Sequence, residues 1–492
     1  MNELFASGDC TTREILDRIK DGYCAVLGAG VSNLPLIELL RAQGARICVR
    51  DRKNKCDHKN AALIESLADA YIDGVDYLRG LDTDTPPEKT VIFRSPGLRH
   101  DLPEISSAVE KGAILTSEME LFFRLTRANI IAITGSDGKT TTTTLIGKLL
   151  QKGKKQGRVF VGGNIGKPLL PENNTMTEED HAVVELSSFQ LQTMNISART
   201  AVITNITPNH LNWHTDMDEY TGAKYNVFMG EGCEHLVACA DNCPALEAAR
   251  IAMKRANDMR VTLFSLKGSD YDSVVPEDLR GENTDAVYER DGMIVYHRAG
   301  REHGVMKSAD IKIPGRHNVL NYMAALAATA EFVPPEAVRE LAVEFGGVEH
   351  RIELVREHRG VRYYNSSIDS TPTRTTAALS SFDCKLIVIC GGKNKNLSFE
   401  PLAEILCRKA KAVVLTGESA DEIMEALNAC GEYQSSGISA VIERDFEAAV
   451  KRACEIAVDG DTVILSPACT SFDAFDNFEE RGNFFKKIVN SF

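Results

Sequence analysis

The chain has 492 residues, a formal net charge of -14 and an isoelectric point near 5.4, a balance that repels nucleic acid and anionic membranes and leaves any polyanionic ligand to local devices. Hydrophobic residues make up 43% and charged residues 26%, so a globular core needs no covalent staples, and no run approaches the roughly 20 apolar residues of a bilayer span. The 13 cysteines form no CxxC pair and read as reduced thiols, and the polar N-terminus has no apolar signal region, which together predict a cytoplasmic protein.

At roughly 150 residues per domain the length predicts about three domains. In chain order, short apolar runs predict strands at 24–28 (CAVLG), 45–50 (ARICVR), 90–95 (TVIFRS), 130–134 (IIAIT), 181–186 (HAVVEL), 200–205 (TAVITN), 385–392 (KLIVICGG), 412–417 (AVVLTG) and 461–468 (DTVILSPA). Helical lengths separate them, so the predicted class is α/β with mainly parallel sheets flanked by helices. Three segments are expected: 1–124, 125–347, ending at a Gly346-Gly347 hinge, and 348–492. Residues 265–310 read as a polar insertion of short strands or loops.

Parallel sheets gather ligands where strands end and helices begin. The first such turn is Gly28-Ala-Gly30-Val31-Ser32-Asn33, with Asp51 ending the next strand. On these residues alone it reads as a dinucleotide turn with a ribose-binding acid, a reading weakened by Asn33 in place of the third glycine, since an NAD site favours close helix packing there. The second is Ile131-Ala-Ile-Thr-Gly135-Ser136-Asp137-Gly138-Lys139-Thr140-Thr141. Its G-x-x-G-K-T spacing is shorter than the general phosphate loop. A strand, two glycines, a lysine and a threonine still fall in working order: backbone N–H groups and a helix N-terminus for phosphate, Lys139 for the β and γ phosphates, Thr140 for Mg²⁺. ATP use follows.

Glu185 ends the run HAVVEL and opens Glu185-Leu-Ser-Ser-Phe-Gln190; it reads as a metal-holding acid or as a capping glutamate. His210, in Thr204-Asn-Ile-Thr-Pro-Asn-His210, reads as a metal ligand or a structural histidine. Lys224 follows on a helix-like stretch, Tyr220-Thr-Gly-Ala-Lys224.

The order of these blocks resembles the Mur ligases. The resemblance implies three domains: a Rossmann-like domain for a UDP-sugar, a phosphate-loop ATPase domain, and a Rossmann-like C-terminal domain. It places two Mg²⁺ ions on Thr140, Glu185 and His210, and a CO₂-derived carbamate on Lys224. An ammonium about 4 Å from a divalent ion is repelled by on the order of 8 kcal/mol at an effective dielectric near 20, whereas a carbamate is attracted. ATP would meet Gly135, Ser136, Asp137, Gly138, Lys139, Thr140 and Thr141, with Asn318 and Asn321 on the adenine side and Arg351 at the domain entry. The UDP-sugar would meet Val31, Ser32, Asp51, Arg52, Ser95, Gly97, Asn164 and Gln190.

The C-terminal run Leu465-Ser-Pro-Ala-Cys-Thr-Ser471-Phe-Asp-Ala-Phe-Asp-Asn-Phe478 and Gly391-Gly-Lys-Asn-Lys395 resemble the glutamate-adding branch of the family, which gives Lys395, Ser471 and Phe478 the incoming glutamate. The implied activity joins D-glutamate to UDP-N-acetylmuramoyl-L-alanine through an acyl phosphate, in peptidoglycan precursor synthesis, by a monomer whose partners are small molecules. One departure qualifies the amino acid. Where many members carry Asp-Ser-Lys-Ala-Thr, this chain has Asn365-Ser-Ser-Ile-Asp-Ser-Thr: Ser366 stands for the aspartate and Ile368 for the lysine. Either Asp369, Ser370, Thr371 and Arg374 take over, or the enzyme adds L-glutamate or another residue. Asp137 stands where asparagine is usual.

Overall fold

A computed structural model describes residues 10–30, 32–153, 156–255 and 258–492; Val31 and the first nine residues of the N-terminal stretch lie outside them. Three sheets carry the chain. The first holds β1 (Tyr23–Leu27), β2 (Arg46–Asp51), β3 (Ala70–Asp73), β4 (Thr90–Arg94) and β5 (Ile114–Thr116) in the order β3-β2-β1-β4-β5, all parallel. β1 and β4 are almost wholly buried, as central strands covered on both faces must be. The chain order reverses between them, which makes the gap beyond their carboxyl ends the natural crevice for a ligand.

The second sheet runs β14-β13-β12-β11-β10-β9-β6-β8-β7. Its strands are β6 (Asn129–Thr134), β7 (Val159–Gly163), β8 (His181–Glu185), β9 (Thr200–Ile203), β10 (His235–Cys239), β11 (Arg260–Ser265), β12 (Thr284–Arg290), β13 (Met293–Arg298) and β14 (Arg301–Lys307). β7 through β12 lie parallel. β12, β13 and β14 are joined by two-residue turns, Asp291-Gly292 and Ala299-Gly300, all four with positive φ. That geometry matches the right-handed twist of antiparallel strands, so the polar 265–310 stretch extends the sheet rather than hanging from it.

The third sheet, β15-β16-β20-β17-β18-β19, contains β15 (Glu353–His358), β16 (Val361–Asn365), β17 (Leu386–Gly391), β18 (Ala410–Thr416), β19 (Ser439–Ile442) and β20 (Thr462–Leu465). Only β15 is antiparallel to its neighbour. Every residue of β17 is buried, and each such aliphatic side chain contributes about 1.5–3 kcal/mol of burial. The chain forms two compact units, one of residues up to Ser308 with Leu320–Arg339, the other of Ala309–Val319 with Glu340–Phe492; the first contains two sheets, the second the third sheet. The described cysteines are free thiols. Among the described residues, no helix is long and apolar enough to cross a membrane.

Candidate active site

Strand order puts the chemistry in one place. β6 lies between β8 and β9, so the loops leaving their carboxyl ends carry the glycine turn, Glu185 and His210 side by side. Gly135 has φ +151, and a Cβ there would sit 1.9 Å from Thr204 Oγ1 and 3.0 Å from Asn205 O; only glycine lets the turn pack against the β9 loop. Gly138, with φ +79, is equally closed off by Asn321 Oδ1 at 2.4 Å. The turn is pinned from β9's loop: Asn205 O accepts from Ser136 N (2.8 Å), Asn205 Oδ1 from Asp137 N (3.0 Å), and Thr204 Oγ1 donates to Asp137 O (2.6 Å). Gly135→Ala is expected to cost about 2–4 kcal/mol through overpacking and strain, read as a lowered urea midpoint; an unchanged midpoint would mean the turn relaxes freely.

Lys139 opens the helix Lys139–Gly153 and folds its ammonium back onto Gly135 O (2.9 Å) and Ser136 O (2.8 Å). Lys224, on the helix Met217–Met229 and fully buried, donates to the same Gly135 O at 2.7 Å and lies 4.6 Å from the centre of the Tyr220 ring. Two ammonium groups thus share one acceptor. Burial, then the Lys139 charge, drives the Lys224 pKa well below that of an ordinary lysine. Tyr220 Oη meets Ser136 Oγ at 2.9 Å. It stands one helical turn before Lys224, a spacing by which the sequence could have marked it.

Glu185 is buried, with Oε1 accepting from Asn164 Nδ2 at 2.9 Å and Oε2 without a hydrogen-bond partner. A buried carboxylate oxygen left open is costly unless a cation or donor arrives. His210 is exposed, with φ +55. Exposed at its rim, the ring is still partly desolvated by its surroundings; that, then the charges of Lys139 and Lys224, lowers its pKa, which favours the neutral imidazole that ligates metals. Among the described residues no three His, Cys, Asp or Glu side chains cluster around a point. One acid, one imidazole and one hydroxyl leave most positions of a cation to water and substrate phosphates, an arrangement of the kind that Mg²⁺ accepts. Gln190 Oε1 caps the helix Ser188–Leu191 by accepting from Ser187 N and Oγ.

At the crevice of the first sheet, Gly28 (φ +90) lies against Ser95, whose Oγ would be 2.4 Å from an added Cβ. Asn33, the departure from a glycine fingerprint, donates to Gly28 O (2.8 Å) and Ser95 Oγ (3.0 Å), tying the β1 and β4 loops together. Asp51 accepts from Ala29 N (2.7 Å) and Lys53 N (2.8 Å) and lies 3.2 Å from His58 Nε2; its carboxylate shapes the two loops. Ser32 precedes the helix Asn33–Ala42 without a side-chain cap bond, and Arg52 and Gly97 are exposed.

In the second unit, Lys393 and Thr470 exchange backbone hydrogen bonds, each 3.0 Å, which sets the Lys395 loop beside the Ser471 loop. Lys395 is exposed, Ser471 buried and Phe478 half-buried at the start of the helix Phe478–Asn490. Buried Arg481, missed by sequence reasoning, stitches this region by donating to Ser367 Oγ, Ser367 O, Thr470 O and Cys469 O. In the departing block, Ser366 Oγ accepts from Ile352 N (3.1 Å) and Asp369 Oδ2 from Ser466 Oγ (2.8 Å). Burial raises the Asp369 pKa to about 6. Thr371 caps the helix Pro372–Ser380, and Arg374 donates to Ile368 O at 3.3 Å. Asn318 Nδ2 donates to Pro314 O at 2.6 Å. Asn321, in the first unit, meets Thr142 Oγ1 at 3.3 Å as well as Gly138, which places it at the phosphate loop. Arg351 is half-buried between two residues of positive φ, His350 and Ile352.

A glycine turn, an acid and an imidazole at the ends of three adjacent strands define a phosphate-loop class of α/β protein. The Mur ligase middle domain model matches residues 133–329, and the Mur ligase glutamate ligase domain model matches 350–469. The chain belongs to the Mur ligase family. It is 43% identical, over 96% of its length and 97% of the relative's, to UDP-N-acetylmuramoylalanine–D-glutamate ligase of Acetivibrio thermocellus. It is 41% identical, over 98% and 99%, to the protein of the same name from Clostridium novyi. Its fold matches a UDP-N-acetylmuramoyl-L-alanyl-D-glutamate–2,6-diaminopimelate ligase (TM-score 0.52, 18% identity, 76% and 80% covered). It also matches the UDP-N-acetylmuramate-alanine ligase of Thermotoga maritima (TM-score 0.51, 17% identity, 95% and 99% covered).

Proposed function

We propose that the chain is an ATP-dependent ligase that joins D-glutamate to UDP-N-acetylmuramoyl-L-alanine, a step of peptidoglycan precursor synthesis. The observation that carries the chemistry is the convergence of Lys139 and Lys224 on the carbonyl of Gly135, with Glu185, one carboxylate oxygen open, at the end of the adjacent strand; near-full-length similarity to relatives of that name carries the substrates. Residues 1–124 hold the UDP-sugar around Ser32, Ser95, Gly97, Asp51, Arg52 and Val31, with Asn164 and Gln190 reaching it from the middle domain. Residues 125–347 hold ATP through the 135–141 turn, Asn318 and Asn321, joined by Arg351. Residues 348–492 hold glutamate through Lys395, Ser471 and Phe478.

In this reading the γ-phosphoryl group passes from ATP to the L-alanine carboxylate, the glutamate amine attacks the acyl carbon, and phosphate leaves. Backbone N–H groups of the turn and the Lys139 ammonium orient and neutralise the transferring group, since positioning and electrostatics dominate such transfers. Mg²⁺ held by Thr140, Glu185 and His210 would supply further charge neutralisation there. A carbamate on Lys224 would give the metal-holding corner an anion in place of a cation.

The test incubates the pure protein with ATP, Mg²⁺ and UDP-N-acetylmuramoyl-L-alanine, adding D- or L-glutamate separately and following phosphate release and product mass. Product with D-glutamate alone is expected. Product with L-glutamate alone would overturn the stereochemical reading and trace to the Ser366 and Ile368 departures; no product with either would overturn the function.

A further inference from the structure

The loop after β4, which the proposed function gives to the UDP-sugar, is fastened to the loop that carries His210. Arg99 donates to Trp213 O (2.6 Å) and pairs with Glu219 (2.9 Å) and Asp101 (2.7 Å). Its guanidinium lies 5.0 Å over the indole ring, and Trp213 Nε1 donates back to Gly97 O at 3.3 Å. The indole packs edge-on against Phe189 at 4.7 Å, and Phe189 edge-on against His210 at 5.0 Å. His214 stacks flat on Phe189, 5.6 Å away, and its Nε2 lies 2.9 Å from Ser188 Oγ. Buried Arg94 adds a second strut, donating to Pro96 O at 3.1 Å and to Phe189 O at 2.8 Å.

His210 holds a left-handed φ of +55 without being glycine, a conformation that persists only where the surroundings over-determine it. The turn that does so takes bonds from Trp213 N and His214 N to His210 O, each 3.0 Å, and Arg99 closes it at Trp213 O. Glu219, the acid end of the clamp, also accepts from Thr215 N and Gln192 Nε2. Burial works against its charge, yet the bonds from Thr215 and Arg99 hold its carboxyl at about 2.

We propose that Arg99 and Trp213 are positioning residues that lock the UDP-sugar loop in register with His210, so that acceptor binding and the placing of the phosphoryl-transfer groups are one event. This rests on the assignment of the β4 loop to the UDP-sugar. Trp213 is the chain's only tryptophan and is its own reporter.

The test titrates UDP-N-acetylmuramoyl-L-alanine into the full chain, following tryptophan emission, beside steady-state kinetics. Wild type should give a saturable emission change. Arg99→Gln should abolish that change, raise the acceptor KM about tenfold and lower kcat about tenfold, with the KM for ATP and glutamate within about twofold. Arg99→Lys, keeping the charge without the fork, should recover part of the loss. Trp213→Phe, which keeps the ring but not the Nε1–H, should raise the acceptor KM about threefold with an unchanged urea midpoint, separating positioning from stability. An Arg99→Gln enzyme with acceptor KM and kcat near wild type would overturn the proposal, as would an active wild type whose emission ignores the acceptor. A wild type that neither responds nor turns over would overturn both this and the function it rests on.

Discussion

Lys139→Ala is expected to lower kcat by about 10³-fold, close to 4 kcal/mol of transition-state stabilisation, with the fold intact. Its ammonium is the one charge mounted on the first turn of the phosphate-loop helix, and it spans two carbonyls of its own loop. If the turn holds the nucleotide as proposed, those bonds keep the ammonium beside the phosphates, so little reorganisation is needed on binding. Because the side chain is only half-buried, its loss leaves no cavity and the urea midpoint should move by less than about 1 kcal/mol. Single-turnover phosphate release in the presence of saturating acceptor checks this. Release at the wild-type rate would show that the loop backbone alone does the work, and the assignment of Lys139 would fall.

The long apolar runs made the sheet centres legible: the predicted runs 130–134, 181–186 and 200–205 are β6, β8 and β9 almost to the residue, because strands covered on both faces must be continuously hydrophobic. β3, with no buried residue, and β7, mostly half-buried, offered no such run and were missed. The Asp291-Gly292 pair was a hairpin signal for a stretch read only as short strands or loops. Residue type and a place at a strand end singled out Lys139 and Glu185 as candidates, although Glu185 read equally as a metal-holding acid or a capping glutamate. What the sequence withheld was adjacency. That Glu185, the glycine turn and His210 become neighbours depends on β6 lying between β8 and β9, a crossover order that no local pattern encodes. The bonds of Asn33 and Asp51 were equally hidden: each departs from or matches a fingerprint by type, but its partners lie on loops distant in sequence.

Lys224→Met should lower turnover by about 10²–10³-fold while leaving the fold in place, and ¹³C-labelled bicarbonate should give a carbamate resonance in the wild type that the variant lacks. The shared Gly135 carbonyl brings the two lysine nitrogens close together. Like charges about 5 Å apart repel by about 3 kcal/mol at an effective dielectric near 20, and Lys224 is fully buried, so an ammonium there is disfavoured twice. Both effects move the group toward the neutral amine, the direction of its pKa shift, and the neutral amine is the form that attacks CO₂. Carbamylation then turns a repulsive pair into an attractive one, anion against the Lys139 ammonium, beside an acid and an imidazole suited to a divalent cation. Methionine keeps the stem and removes the charge, so the variant isolates the head group; its urea midpoint should hold or rise, since a buried like charge is gone. Stripping CO₂ from the buffer should slow the wild type and leave Lys224→Met where it was. Wild-type turnover in the variant would remove Lys224 from the mechanism, and a wild type with no carbamate signal would leave the lysine acting as a neutral amine bonded to the loop.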